Sequence, residues 1–223
     1  MRDLVVLYAS QTGTACEVAH QIGRLGRNRL LETKVLALDS YPIEQLPECP
    51  LAIFVAATTG DGEIPDNMTR FWKFLLRKSL PSDSLEDLKY SIFGLGDSTY
   101  PKFNAVARRL DARLQQLGAT ALSPKGLGDD QHEFGYSAAL DPFLRDLWSK
   151  VLELYPLPEN FVLDDSPKLD PPKYRLTWSS LPESTPKYDP GFYVPPHKAH
   201  EPERGPIEAT LVQNERMTAL DWQ

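Results

Sequence analysis

The chain has 223 residues, of which 41% are apolar, and its formal net charge is −7. Phosphate backbones are bound by clustered Lys and Arg, and the sequence has only short mixed runs such as RFWKFLLRK, so we expect no nucleic-acid partner. Cys16 and Cys49 fit neither a metal spacing nor a disulfide framework, and no apolar run resembles a signal peptide or approaches the roughly 20 residues that span a bilayer, so we expect a cytoplasmic protein without a membrane anchor.

Five apolar, β-prone runs alternate with four stretches that carry apolar residues at helical spacing. The predicted strands are residues 4–10, 33–38, 50–57, 90–96 and 120–126. The predicted helices are residues 12–30, 67–79, 104–118 and 141–155, the last with Asp141 as N-cap and Pro142 at its first position. This alternation predicts an α/β protein of three layers, in which helices cover both faces of a five-stranded parallel sheet of order 2-1-3-4-5.

The proline content divides the chain. Twelve of the 20 prolines lie between Pro156 and Pro206. A segment so rich in proline is typical of a linker and not of a packed core. We therefore predict a globular domain over residues 1–155 and a proline-rich linker over residues 156–205.

Three loops follow strands whose carboxyl ends should meet at one edge of the predicted sheet. They follow strands 1, 3 and 4 and cover residues 10–15, 58–67 and 96–104. In parallel α/β sheets, ligands bind in the crevice at the carboxyl ends of the strands, where the strand order reverses. The binding site is therefore predicted at these loops.

The loop SQTGTA joins strand 1 to a helix and has hydroxyls at Ser10, Thr12 and Thr14. Backbone N–H groups at a helix N-terminus can bind a phosphate without Lys or Arg. The motif lacks the lysine of a P-loop, which favours a monophosphate over a nucleoside triphosphate. The alternative is a capped helix start with no ligand, because Ser and Thr are preferred N-caps.

The loop LGDSTYPKFN contributes two aromatic residues close to the same edge. Tyr100 precedes a proline on a loop, and we predict that it stacks on a flat ring. Phe103 could instead pack a helix against the sheet.

Seven carboxylates lie on the loops predicted at this edge, including those of GLGDDQHEFG. They are Asp61, Glu63, Asp66, Asp97, Asp129, Asp130 and Glu133. Such a concentration favours a docking surface for a basic partner, whose association the charges would accelerate and orient. The alternatives are a solvated face and a metal site, and because the acids show no paired ligand spacing we predict no metal.

Four motifs together resemble a known family. SQTGTA, ATTGDGEIPDN, GLGDSTYPKFN and GLGDDQHEFG are similar, in order and spacing, to the flavodoxin-like FMN module of the diflavin reductases. That family contains the microsomal NADPH-cytochrome reductases, the nitric oxide synthase reductase domains and the sulfite reductase flavoprotein. The likeness covers about residues 3–155. ALDSYP, IPDNMTRFWKFLLRKSLP and GLGDDQHE most resemble the cytosolic NADPH-dependent branch, which feeds electrons into iron-sulfur cluster assembly.

The resemblance implies which residues contact FMN. Those expected at the phosphate are Ser10, Gln11, Thr12, Gly13, Thr14 and Ala15. Those expected at the ring and ribityl chain are Ala57, Thr58, Thr59, Gly60, Leu95, Gly96, Asp97, Tyr100, Phe103, Asn104, Asp129 and Asp130. Gly60 is expected near flavin N5. Thr59 stands where the microsomal reductases have a second stacking tyrosine, so one ring face should be less shielded.

The resemblance also implies an electron path. NADPH and FAD would be bound by domains that this chain lacks, residues 206–223 resemble the start of the FAD-binding domain, and the chain alone would not oxidise NADPH. FMN would pass single electrons to an iron-sulfur acceptor resembling anamorsin, docked on Asp61, Glu63, Asp66 and Glu133. The alternatives are a self-standing flavodoxin-type carrier and a phospho-acceptor switch, which needs an Asp where strand 3 ends in Ala57-Thr58-Thr59.

Overall fold

The computed structural model describes residues 2–163. Most of the predicted linker, and the whole of the predicted start of an FAD-binding domain, lie outside these residues. Residues 156–163 are described and form neither helix nor strand. The fold described here is therefore that of the predicted globular domain.

A parallel sheet forms the middle layer. Its strands are β1 (Asp3–Ala9), β2 (Glu32–Ala37), β3 (Leu51–Ala57), β4 (Lys89–Gly96), β5 (Thr120–Ala121) and β6 (Gly126–Asp129). The strand order is β2-β1-β3-β4-β5, and β6 also pairs with β4. All pairings are parallel, so the predicted order 2-1-3-4-5 is confirmed.

The fifth strand position differs from the prediction. A single strand was expected over residues 120–126, but β5 and β6 are separate, and both pair with β4. Between them the chain leaves the ladder and buries Ser123, whose hydroxyl lies 2.8 Å from that of Ser91 on β4. A polar side chain can be buried there because this hydrogen bond satisfies it.

Four α-helices flank the sheet. They are α1 (Thr14–Asn28), α2 (Thr69–Leu75), α3 (Ala105–Gln116) and α4 (Ser137–Leu154). Side chains of successive residues in each central strand face opposite layers. Leu7 and Ala9 of β1 pack with α2 and α3, whereas Val6 and Tyr8 pack with α1 and α4. The predicted three-layer arrangement is confirmed.

The bounds of two helices differ from the prediction. Helix α4 begins at Ser137, so Asp141 is not its N-cap and Pro142 lies inside it. The missing proline N–H removes one hydrogen bond, but Leu140 and Phe143 on either side are buried, and this packing favours the longer helix.

Helix α2 is shorter than the predicted span of residues 67–79. A 3-10 turn, Asp66–Met68, precedes it. The carboxylate of Asp39 accepts the N–H groups of Arg70 and Phe71 and fixes its first turn. At the other end the Arg113 guanidinium donates to the Leu75 carbonyl at 2.7 Å, which takes an acceptor that a longer helix would use.

No helix of residues 2–163 has both the length and the apolar character needed to cross a membrane.

Candidate functional site

The loops that follow β1, β3, β4 and β6 meet at one edge of the sheet. Ala9 is level with Ala56, Ala57 with Leu95, and Gly96 with Asp129. Because these residues lie at the ends of their strands, the loops after them start side by side. The residues predicted to bind a cofactor are thus brought to one edge.

The loop after β1 presents unpaired donors at the start of α1. Gly13 is the N-cap with φ +111°, a conformation that glycine adopts without strain. Its N–H donates to Ser10 Oγ at 3.0 Å. The described residues provide no hydrogen-bond acceptor for the backbone N–H groups of Gln11, Thr12, Thr14 and Ala15. We call this loop, residues 10–15, the anion cup, because free N–H groups at a helix N-terminus attract anions.

The loop after β3 braces the anion cup. Gln11 Nε2 donates to Asp66 Oδ2 at 3.0 Å, and the Asp66 N–H donates back to Gln11 Oε1 at 3.1 Å. Asn67 Oδ1 accepts the Ser10 N–H at 3.0 Å. The amide oxygen and the amide nitrogen of Gln11 are therefore both engaged within the protein, and its backbone N–H has no acceptor among the described residues.

Asn67 was not predicted as a site residue. An Asn before a helical stretch is an ordinary capping signal, so the sequence offered no reason to assign it to the cup.

Residues 59–63 form a tight turn. Thr59 and Glu63 exchange two backbone hydrogen bonds, of 3.0 and 2.7 Å, and the Thr59 hydroxyl donates to the Glu63 carbonyl. Gly60 and Gly62 have positive φ, +45° and +79°. The Arg109 guanidinium donates to the Gly62 carbonyl. The turn is thus closed by its own backbone and held from α3.

A cavity of about 230 Å³ lies between this turn and the loop after β4. Its lining residues are Thr58, Gly60, Asp97, Tyr100, Lys102, Phe103 and Asn104. Tyr100 is 59% exposed, whereas Phe103 is half-buried. The Thr58 hydroxyl accepts the Val106 N–H at 3.3 Å, and this contact ties the cavity wall to the first turn of α3.

Asn104 lies at the base of the cavity and is fully buried. It occupies the N-cap position of α3 with φ 53°, but its side chain makes no capping bond. Instead Nδ2 donates to the Gly128 carbonyl at 2.9 Å, and the buried Oδ1 has no partner among the described residues. A Cβ on Gly94 or Gly96 would lie 2.5 or 3.2 Å from that Oδ1, so both glycines are needed for its placement.

The loops after β4 and β6 are joined by their acidic side chains. Asp97 accepts from Thr99 and from Gln131 Nε2, and Asp129 accepts the N–H groups of Ser98 and Gln131. The Thr99 hydroxyl, followed by the Thr99 N–H, lowers the pKa of Asp97. Hydrogen bonding from Ser98 similarly lowers the pKa of Asp129. Both carboxylates are therefore ionised at neutral pH.

The seven predicted edge carboxylates fall into two groups. Four have partners within the protein: Asp61, Asp66, Asp97 and Asp129. The partner of Asp61 is Lys102. Those without a side-chain partner among residues 2–163 are Glu63, Asp130 and Glu133, all exposed. Within the same residues, no cluster of three or more His, Cys, Asp or Glu side chains could hold a metal ion.

Some predicted site residues can offer a ligand only their backbone. Ala15 and Leu95 are buried in the core below the edge, and Ala57 is the last residue of β3. A larger cavity, of about 310 Å³, lies apart from the anion cup, between residues 38–44 and α2, where Arg70, Lys73 and Arg77 are among its lining residues. None of the predicted site residues lines it.

A family model described as Flavodoxin matches residues 6–143. Among curated proteins, the chain is 48% identical over 220 residues to NADPH-dependent diflavin oxidoreductase 1 of Bos taurus, covering 96% of this chain and 36% of the relative. It is 42% identical over 191 residues to the protein of the same name of Arabidopsis thaliana, covering 83% of this chain and 31% of the relative. The chain spans about a third of the length of these relatives.

Solved flavodoxins have a similar fold. The Streptococcus pneumonia TIGR4 flavodoxin is 27% identical with a TM-score of 0.56, covering 66% of this chain and 99% of that one. The oxidised flavodoxin 1 from Bacillus cereus is 26% identical with a TM-score of 0.56, covering 68% of this chain and 97% of that one.

Proposed function

Because the chain belongs to the flavodoxin family, we propose that it is the FMN-binding electron-transfer module of an NADPH-dependent diflavin oxidoreductase. Flavodoxin domains bind FMN. The observation that carries the proposal is the anion cup with its free N–H groups, placed at the same sheet edge as an aromatic-lined cavity. A phosphate and a flat ring on one ligand would occupy the two together.

The anion cup suits a monophosphate. Its free donors are the N–H groups of Gln11, Thr12, Thr14 and Ala15 and the hydroxyls of Thr12 and Thr14, and residues 10–15 include no Lys or Arg. Gly13 and Ser10 shape the loop through their mutual hydrogen bond. These residues would hold the FMN phosphate by neutral donors at a helix N-terminus.

The cavity would hold the ring. Tyr100, exposed on its loop, would stack on one face, while Thr58 and Gly60 line the opposite wall and Thr59 lies between them in the chain. The Thr59 hydroxyl is engaged with the Glu63 carbonyl, and threonine offers no aromatic surface, so that wall shields the ring less than Tyr100 does. FMN, when bound, supplies one- and two-electron redox chemistry. Leu95, Gly96, Phe103 and Asn104 would shape the base, and Asp97, Asp129 and Asp130 the side towards the ribityl chain.

The partners follow from the relatives and from charge. Relatives named NADPH-dependent diflavin oxidoreductase 1 are about three times as long as this chain, which supports a partner domain in a longer protein that binds FAD and NADPH. An iron-sulfur acceptor of the anamorsin kind, in the cytoplasm, would receive electrons at the edge that carries Asp61, Glu63, Asp66 and Glu133.

Flavin titration tests the cofactor site. Wild-type protein freed of cofactor should bind FMN, and Tyr100→Leu should weaken binding about tenfold through loss of stacking. Phe134→Leu is the matched control, because Phe134 is an aromatic residue of similar exposure, 69%, that does not line the cavity. Absence of FMN binding to wild type would contradict the proposal.

Electron-transfer assays test the proposed acceptor and the proposed partner domain that binds FAD and NADPH. The reduced, FMN-loaded chain should reduce an iron-sulfur protein of the anamorsin kind faster than a haem protein of equal charge. A chain extended to the length of its relatives should also oxidise NADPH. Failure of the extended chain to do so would favour a self-standing flavodoxin-type carrier, an alternative that the near-complete coverage of solved flavodoxins supports.

A further inference from the structure

The side-chain amide of Asn67 has a hydrogen-bond partner at its oxygen but none, among the described residues, at its nitrogen. Oδ1 accepts the Ser10 N–H at 3.0 Å. Nδ2 is buried, and no acceptor for it exists among the described residues. An unpaired buried donor is costly and is rare in native proteins unless a ligand or water accepts from it.

The position of this donor is narrowly defined. The oxygen and nitrogen of an amide are attached to the same carbon, so Nδ2 lies beside the Ser10 backbone that Oδ1 contacts. The free N–H groups of Gln11 and Thr12 follow directly along the chain. The Asn67 side chain therefore brings a buried, unsatisfied neutral donor next to Ser10, the first residue of the anion cup, from a different loop.

The surrounding charges make a neutral donor important there. The cup contains no Lys or Arg, and the carboxylate of Asp66, next to Asn67, is held by Gln11. A phosphate in the cup must be bound by neutral donors, with the acidic side chain of Asp66 close by. Each additional donor therefore has a large effect on phosphate affinity.

We propose that Asn67 is a phosphate-binding residue, whose Nδ2 donates to the phosphate of FMN while its Oδ1 holds the Ser10 N–H. The inference rests on the proposed function, because it takes FMN as the ligand. It assigns two roles to one side chain, and the second role joins the loop after β3 to the phosphate. A purely positioning role would involve Oδ1 alone.

Nuclear magnetic resonance provides the direct test. In ¹⁵N-labelled wild-type chain, the Asn67 side-chain amide is assigned from the resonance pair that is lost in Asn67→Asp. On addition of FMN this pair should shift and show through-hydrogen-bond coupling to ³¹P. On addition of riboflavin, which lacks the phosphate, it should show no such coupling. A pair unaffected by FMN under saturating conditions would overturn the inference.

Affinities supply the second test. Asn67→Asp keeps an acceptor for the Ser10 N–H but replaces the donor with a charge, so FMN affinity should fall about tenfold or more while riboflavin affinity stays within about twofold of wild type. The FMN affinity of Asn67→Ser, whose hydroxyl is a shorter donor, should lie between those of wild type and Asn67→Asp. Asn28→Asp is the control, because it makes the same change at an exposed position at the other end of α1.

The outcomes separate the two proposals. FMN affinity of Asn67→Asp equal to wild type, or an equal loss of FMN and riboflavin, would overturn the role of Nδ2 while the flavin site stands. Wild type that binds neither flavin would overturn the proposed function itself. Retained riboflavin binding also shows that each variant is folded.

Discussion

Lys102 Nζ lies 2.8 Å from Asp61 Oδ2, and this ion pair joins the loop after β4, where Lys102 lines the cavity, to the turn after β3. The two side chains are 55% and 79% exposed, so the pair contributes little to stability, about 1 kcal/mol at most. Its larger effect is on surface charge, because it neutralises one of the acids predicted to dock a basic partner.

Lys102→Met should therefore increase the rate at which the reduced, FMN-loaded chain transfers electrons to a basic acceptor. The change frees the Asp61 carboxylate on the turn after β3, and attraction between opposite charges accelerates association. Stopped-flow measurements should show the largest gain at low ionic strength and a smaller one at about 0.15 M salt, where the Debye length is about 8 Å.

Lys150→Met is the control for that measurement. It makes the same change of net charge and also frees an acid, Glu153, but the pair lies near the end of α4 and involves none of the site loops. Equal acceleration by both variants would show that net charge, and not the position of Asp61, governs the encounter.

Gly94→Ala should destabilise the protein by about 1–3 kcal/mol, because a Cβ at this position would lie 2.5 Å from Asn104 Oδ1 and 2.7 Å from the Ala107 Cβ. Urea unfolding of the cofactor-free chain measures the loss. Gly135→Ala offers a comparison in which a Cβ meets nothing within 4 Å and only the positive φ, +54°, opposes the change. If Gly94→Ala lowers the free energy of unfolding by no more than Gly135→Ala does, the close approach of β4 to Asn104 is not needed for stability.

Acid should weaken the contacts between the loops after β4 and β6. The pKa values of Asp97 and Asp129 are lowered in the folded protein, so these groups stabilise it above the ordinary Asp pKa of about 3.9. That stabilisation is lost as pH falls through the folded values. The free energy of unfolding should therefore fall less steeply below about pH 4 in Asp97→Asn than in wild type. If the free energy of unfolding falls equally steeply below about pH 4 in wild type and in Asp97→Asn, the prediction is wrong.

The features that could be predicted from sequence are those with a local signal. Apolar runs located the central strands, and the Ser-Thr-Gly composition of residues 10–15 indicated the anion cup. The split between β5 and β6 had a local signal in Pro124, which has no N–H to donate to the ladder, but the burial of Ser123 depends on Ser91, which is 32 residues away. Asn67 and Lys102 likewise acquire their roles only when separate loops meet at the sheet edge.

Asp111 likewise acquires its partners only when separate segments of the chain meet. It is buried on α3, accepts the Tyr90 hydroxyl at 2.6 Å, and lies 2.5 Å from Nζ of Lys125, in the segment between β5 and β6. Burial, followed by this hydrogen bond, raises the pKa of Tyr90, so its hydroxyl remains a donor across the physiological range. Lys125 is the only cation paired with this carboxylate among the described residues.

Lys125→Met should therefore cost about 1–3 kcal/mol of unfolding free energy, since it leaves a buried carboxylate without its counter-charge, although Lys125 is partly exposed and water would offset part of the loss. Asp111→Asn removes that charge, so the double variant should lose less than the sum of the single changes, by about 1 kcal/mol in a urea-unfolding cycle. Lys89→Met, at an exposed lysine of β4, should change stability by no more than about 0.5 kcal/mol. Strict additivity of the two single changes would mean that Lys125 packs over the split in the fifth strand without stabilising Asp111 electrostatically.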